Sequence, residues 1–396
     1  MERLSYPRAG VAAAFFAQGI GFAVVLTHLP AFKDQHGLDD LAVTGVMFGV
    51  AVLAGVGSTV AGSFASHRGS AVTLRAALLL AAVGLTITGT AGSLPVFLAG
   101  VAVYGLGLGT VDASENMQAV ALEARYGRSI LTSFHAAWSA GGIVGAVYTS
   151  LTNSWTPAES FVPIAVVVGL IALAPYLTAA DDPHSGAEDS ADREAAMPWR
   201  PLVMLGAALV LFYVADSAAA SWSTIYLRDG LGASARLAPL AYGGYQATSL
   251  ISRLAGDFLV RRTGAVGVVR MAAGIGTAGL LLVVLAPGPT LAIVGFAVLG
   301  AGLAVVAPLT FSAAGVLAGD GTPEQRRRRA DALVARLNQF NYLGFVLGGV
   351  LTGLVSSAGS LRWGYVVPLA LTAVLVLLAP AFAPRRRAAS VLTPDR

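Results

Sequence analysis

Apolar runs of about 20 residues, each bounded by a few polar or charged positions, follow one another along the whole chain. They fall at 9–32, 41–65, 74–91, 95–122, 129–152 and 160–180. After a polar gap they resume at 201–227, 235–259, 267–287, 289–318, 332–357 and 362–383. A helix needs about 20 apolar residues to cross a bilayer, so the pattern predicts twelve transmembrane helices, six on each side of the gap. The gap, 181–200, carries Asp181, Asp182, Glu188, Asp189, Asp192 and Glu194 with few apolar residues. It reads as a cytoplasmic linker. The first run is too long for the apolar region of a cleavable signal and opens a series of similar runs. The pairs of spans 3/4 and 9/10 are joined by very tight turns at Gly92-Ser93-Leu94 and Ala286-Pro287-Gly288.

Composition agrees with lipid as the solvent. The chain is 56% hydrophobic and 12% charged, whereas a soluble domain carries roughly 25% charged residues. The net charge of +4 does not point to nucleic acid, because the basic residues sit in short clusters between apolar blocks. Their distribution sets an orientation instead. With both termini cytoplasmic, twenty of the 25 basic residues lie on the inner side, Arg68, Arg261, Arg262 and Arg326 to Arg329 among them. The outer loops hold four, Lys33, Arg228, Arg236 and Arg362, and Arg253 lies inside a span. Lys33 is the one lysine, which with the excess of Ala, Gly and Val suggests a GC-rich bacterial genome and hence a bacterial inner membrane. Cysteine is absent and the five histidines are scattered without metal-ligand spacing, so no metal or cofactor is expected.

A repeat runs through the chain. Span 2 and its loop read Ala61-Gly62-Ser63-Phe64, then His67-Arg68-Gly69 and Arg75; span 8 and its loop read Ala255-Gly256-Asp257-Phe258, then Arg261-Arg262-Thr263-Gly264 and Arg270. One inserted residue aligns them. Gly107-Leu108 and Val111 of span 4 match Gly302-Leu303 and Val306 of span 10; Gly141 and Gly145 of span 5 match Gly344 and Gly348 of span 11. The order is parallel, so the expected all-α fold is a pair of pseudo-symmetric six-helix bundles, 1–180 and 201–396 with a short tail, related by an axis along the membrane normal.

These features together resemble the major facilitator superfamily. Within it, Ala215-Asp216-Ser217, Ser221-Trp222-Ser223 and Tyr226-Leu227-Arg228 in span 7, with Phe134-His135, Trp138-Ser139 and Gly141-Gly142 in span 5, are similar to a bacterial branch related to fucose permease. The resemblance implies alternating access about a central site, driven by a proton or ion gradient, and a gate-stabilising role for the basic loops: Arg68 in the first copy, Arg253, Asp257, Arg261 and Arg262 in the second. The first copy departs from the family in having Ser66-His67-Arg68-Gly69 where an acidic residue usually follows span 2. The arginine in span 4 and the Gly-Pro pair in span 5 that mark many drug antiporters of this family are absent.

Charges inside a span are costly and point to function. Asp112, Glu115 and Asn116 fall at i, i+3 and i+4 in span 4 and share one face. Glu115 lies roughly 15 Å, and His135 of span 5 roughly 12 Å, from the inner surface at 1.5 Å per residue. Two carboxyls one turn apart resist double ionisation, which makes Asp112 and Glu115 proton-coupling candidates with His135 as their expected neighbour. The alternative is a polar network that ties spans 4 and 5 together. Substrate-binding candidates are Asn116, Trp138, Tyr213, Asp216, Trp222, Asn338, Asn341 and Gln18, with the two tryptophans suited to stacking. Arg253 and Asp257, at i and i+4, are spaced to pair.

The leading expectation is a monomeric, proton-coupled carrier of a small polar organic solute, sugar-like in chemistry. Export of a drug or metabolite by proton antiport is the alternative, and a non-transporting membrane sensor the third reading. No Ser-His-acid set or phosphate loop supports an enzyme; Gly105-x-Gly107-x-Gly109 has no preceding strand and fits close helix packing better than nucleotide binding.

Overall fold

The computed structural model describes residues 2–126, 130–174, 198–317 and 323–383, and within them the side chains of Asp257 and Asn338 lie outside the described residues. The chain is helical throughout, with no strand among the described residues. The helices are α1 (Glu2–Thr27), α2 (Leu29–His36), α3 (Asp40–Arg68), α4 (Ser70–Thr90), α5 (Leu94–Tyr126), α6 (Leu131–Leu151) and α7 (Pro157–Leu173). After 198 come α8 (Trp199–Ile225), α9 (Leu240–Leu285), α10 (Pro289–Leu303), α11 (Val306–Leu317), α12 (Pro323–Ser357), α13 (Leu361–Gly364) and α14 (Val366–Leu378). Nine stretches among the described residues are long and apolar enough to cross a membrane. The expected runs at 129–152, 160–180 and 235–259 coincide with α6, with α7 and with the first part of α9.

Local chemistry sets the ends. Asp39 caps α3 by accepting from the Ala42 N–H at 2.7 Å. Thr156 and Glu159 form a reciprocal capping box at the start of α7. Proline opens α7 and α10, where the missing N–H costs nothing. The break between α3 and α4 is Gly69, at φ 82° and ψ 151°. The break inside α9 is Gly264, at φ 71° and ψ 162°. These are the two glycines that the repeat places in register, and both occupy a region of backbone space that is essentially closed to residues with a Cβ.

The repeat extends to packing. Gly141 meets the backbone of Phe16 and Ile20, so α6 lies directly against α1; Gly344 meets Val210 in the same manner, so α12 lies against α8. Gly107 meets the backbone of Ala81 on α4, and Gly302 meets that of Gly276 in the second part of α9. The helices before residue 174 pack mainly among themselves, as do those after 198. Two seams join the groups, α3 with α12 and α6 with α9.

Both seams begin at the end of the molecule poor in arginine. There Lys33 of α2 bridges Asp40 at 2.6 Å and Asp229 at 2.7 Å, and Arg228 reaches Asp34 at 2.7 Å. On the first seam Thr44 touches Gly353, and further along the Tyr342 hydroxyl donates to Ser58 at 3.2 Å. On the second, Ser150 donates to the Arg236 carbonyl at 2.6 Å, Gly142 faces Gln246, and Arg253 reaches Ser139. A separate apolar cluster of Val11, Phe15, Ala119, Leu122, Ile130 and Phe134 fills the arginine-rich end of the first group alone.

Candidate substrate and coupling site

An aromatic layer closes the space between the two groups from the arginine-poor side. The Phe22 ring on α1 stands 6.1 Å from Trp138 on α6 and 6.3 Å from Phe345 on α12. Phe22, Met47, Phe48, Ser217, Ser221 and Phe345 line a narrow gap above it.

Asp112, on α5, is half-buried. It is hydrogen-bonded by Gln18 of α1 and by the Tyr342 hydroxyl of α12 at 3.4 Å. Glu115, one turn on, is fully buried, and neither carboxyl oxygen has a hydrogen-bond partner. Its charged neighbour is Asp112. An ionised carboxylate in such a place costs several kcal/mol, so the pocket around Glu115 suits a carboxyl that holds a proton. Asn116 donates its amide to the Asp112 carbonyl at 2.8 Å, so that donor is spent inside its own helix.

Across the seam, Asp216 of α8 accepts a hydrogen bond from the Tyr245 hydroxyl of α9. Arg253, two turns further along α9, donates through Nη1 to Ser139 Oγ at 2.6 Å. Its charge reaches Asp216 and also His135. Tyr213 is the node of the cluster, within electrostatic reach of Asp216, Arg253, Asp112 and Tyr342 together. Of the sequence candidates, Gln18, Asp112, Tyr213 and Asp216 are therefore brought into one region, with Trp138 in the layer above and half-buried Asn341 beside Tyr342.

Two expectations change. His135 is not beside the acids: α1 packs between α5 and α6, with Phe15 set edge-on to the imidazole at 5.2 Å, and the charge within reach of His135 is that of Arg253. Trp222 does not line the site: it is fully buried, and its indole N–H donates to the Gly349 carbonyl at 2.9 Å, which locks α8 to α12. Arg253 donates to Ser139 across the seam, and its expected partner Asp257 has its side chain outside the described residues. Arg68, Arg261 and Arg262 are exposed at the arginine-rich end, Arg262 stacked over Phe258 at 4.4 Å. The side chains of Asp257 and Asn338 lie outside the described residues.

The fold and the interface cluster can be set against known proteins. A family model described as Major Facilitator Superfamily matches residues 123–333, more than half of the chain. The chain belongs to the Major Facilitator Superfamily. A relative described as the uncharacterized transporter y4wD of Sinorhizobium fredii is 28% identical over 387 residues, covering 96% of this chain and 99% of that protein. Among solved structures, a mutant of the nucleoside transporter NupG aligns with a TM-score of 0.75 at 14% identity over 95% of this chain and 99% of its own. A mutant of the E. coli fucose:proton symporter FucP aligns at 0.62 and 19% identity over 96% and 100%. This superfamily protein is thus a membrane transporter, not an enzyme, and the likeness to the fucose permease branch stands.

In this superfamily chain, sequence reasoning passed over Tyr245, Gln246 and Ser139. A signal was present: Tyr242, Gln246, Ser249 and Arg253 fall at i, i+4, i+7 and i+11, a polar stripe down an otherwise apolar helix. The ion lattice was also missed. Lys33-Asp34 follows the first span of one half and Arg228-Asp229 the first span of the other, in equivalent places.

Proposed function

We propose that this transporter is a secondary active carrier that moves a small polar organic solute by alternating access, coupled to protons. In this reading twelve spans form two bundles, 1–180 and 201–396, joined by a cytoplasmic linker at 181–200. Both termini face the cytoplasm of a bacterial inner membrane. The arginine-poor end is then the outer side, held shut by the ion lattice, and the arginine-rich end is the open inner side. The observation that carries the proposal is the polar cluster itself. Acids, tyrosines and one arginine from both groups of helices meet at the interface, below the aromatic layer. A fucose:proton symporter and a nucleoside transporter of the same fold lend support to a small polar solute, and the first of them to proton coupling.

The roles divide between the halves. Asp112 and Glu115 carry the coupling proton: the buried, unpartnered Glu115 favours the neutral acid, and Asp112 beside it opens on the solute space through Tyr342. Tyr213, Asp216, Trp138, Asn341 and Gln18 contact the solute. Arg253, through Ser139, ties α9 to α6, and Arg68, Arg261 and Arg262 bias the seam at the inner end.

The test is uptake into proteoliposomes of radiolabelled sugars, sugar acids and nucleosides under an imposed pH gradient, paired with counterflow at equal pH. The expected outcome is accumulation of at least one solute by the unaltered chain. Glu115→Gln or Asp112→Asn should lose accumulation while keeping counterflow. Accumulation that persists in both variants makes the pair structural and moves the coupling role to Asp216. Equilibration without any response to the pH gradient overturns proton coupling.

A further inference from the structure

Of the arginines, Arg253 lies furthest from either end of an expected span. A guanidinium carries five N–H donors, and in a membrane interior it needs counter-charge and hydrogen bonds. Here one donor is accounted for, by the neutral hydroxyl of Ser139. The acid within its electrostatic reach is engaged elsewhere, since Asp216 accepts from Tyr245; the side chain of Asp257, one turn along α9, lies outside the described residues. No carboxylate lies within ion-pair distance of Arg253 among the described residues, although four ion pairs form at the arginine-poor end. Arg253 is half-buried and within electrostatic reach of Asp216 and Tyr213 of the cluster.

We propose that the transported solute carries a carboxylate, and that Arg253 grips it through the N–H groups left free by Ser139. This rests on the reading that the interface cluster is the solute site. Planar guanidinium and carboxylate match two bonds to two, which a lysine ammonium cannot reproduce. The rest of the cluster selects the body of the solute. Tyr213, Asn341 and Asp216 offer hydroxyl, amide and carboxylate groups suited to several sugar-type hydroxyls, and Trp138 offers a flat face. Charge sets an upper limit. One cation stands among Asp112, Glu115 and Asp216, so the site accommodates a singly charged carboxylate better than a dianionic phosphate. The class indicated is a polyhydroxylated monocarboxylate, such as an aldonate or a uronate.

The test measures thermal unfolding of the purified chain in detergent at fixed ionic strength. The probes are D-gluconate and D-glucuronate, neutral D-glucose and D-glucitol, and glucose 6-phosphate. Proteoliposome counterflow of gluconate and glucose runs alongside. The expected result is a rise of several degrees with one or both carboxylates, and none with the neutral compounds or the phosphate. Arg253→Gln should abolish the rise while its own ligand-free midpoint stays near that of the unaltered chain. Arg253→Lys, which keeps the charge and safeguards against a folding defect in the first variant, should weaken apparent affinity about tenfold through loss of the two-bond geometry. Equal stabilisation by neutral sugars in the unaltered chain and in Arg253→Gln would overturn the proposal, as would a panel in which neither carboxylate stabilises. If glucose is exchanged and gluconate is not, the anion class fails while the transport reading stands. If no solute moves at all, the transport reading falls with it.

Discussion

The ion lattice at the arginine-poor end allows a quantitative test of which side is shut. Arg228 grips Asp34 through two nitrogens, at 2.7 and 3.0 Å, but Asp34 is 71% exposed. Such a pair contributes about 1 kcal/mol. Lys33 to Asp229, at 2.7 Å with side chains 17% and 22% exposed, is better shielded and should contribute about 2 kcal/mol as a charge-assisted bond. Both bonds join the two groups of helices and must break for this end to open. Arg228→Ala should therefore raise the open-to-closed ratio roughly fivefold and Lys33→Ala roughly thirtyfold. The reporter is a cysteine at Ser221, which is 3% exposed in the gap beneath the lattice, in a chain with no other cysteine. The rate of labelling by an impermeant maleimide on intact cells should rise by those factors. High salt should act in the same direction on the exposed pair. Alkali should not. Burial works against the charge on Lys33, but its hydrogen bonds and attraction to Asp229 and Asp40 outweigh that and hold it above its ordinary value of 10.5. A raised lysine contributes fully below its ordinary value and fails only as the pH climbs through the raised one, so labelling, normalised to an exposed control cysteine that corrects for the thiolate fraction, should not change between pH 7 and 9. A labelling rate that stays the same in both variants would refute the role of the lattice.

Other perturbations follow from the same geometry. A Cβ at Gly353 would collide with Thr44 across the α3–α12 seam and with Trp222 behind it, so Gly353→Ala should open the arginine-poor end and raise labelling at position 221 without loss of fold, as judged by the elution profile in detergent. Gly264→Ala forces a side chain into a conformation at φ 71° and ψ 162°, at a cost of about 1–3 kcal/mol, and should lower the thermal midpoint by several degrees where Gly267→Ala does not. Orientation is tested by single cysteines at Ser190 and Ser360: the reagent should reach position 360 from outside intact cells and position 190 only after permeabilisation. The reverse pattern inverts the orientation.

How much of this was legible in the sequence depends on the range of each signal. The helices and their breaks were legible because their causes are local. An apolar run must match a bilayer thickness, and Gly69 and Gly264 announce by their identity a backbone turn that a Cβ forbids. The repeat was legible for the same reason, since Gly107 with Gly302, and Gly141 with Gly344, mark equivalent close approaches. That Asp112, Tyr213 and Asp216 are expensive to place in lipid was also readable one residue at a time. What faces a helix is not local. Periodicity put Glu115 and His135 at similar depth on consecutive spans, but only the packed structure shows α1 seated between them. For Arg253, the packed seam put Ser139, 114 residues away on another helix, within 2.6 Å. Trp222 looked like a wall of the site until packing turned its indole toward Gly349. Lys33 and Asp229 are 196 residues apart, and no property of either span tells which charges will meet. Sequence by itself determined the elements, their order and the price of each buried charge. Partnership was decided by tertiary structure alone, because it depends on which surfaces the close-packed glycines allow to touch.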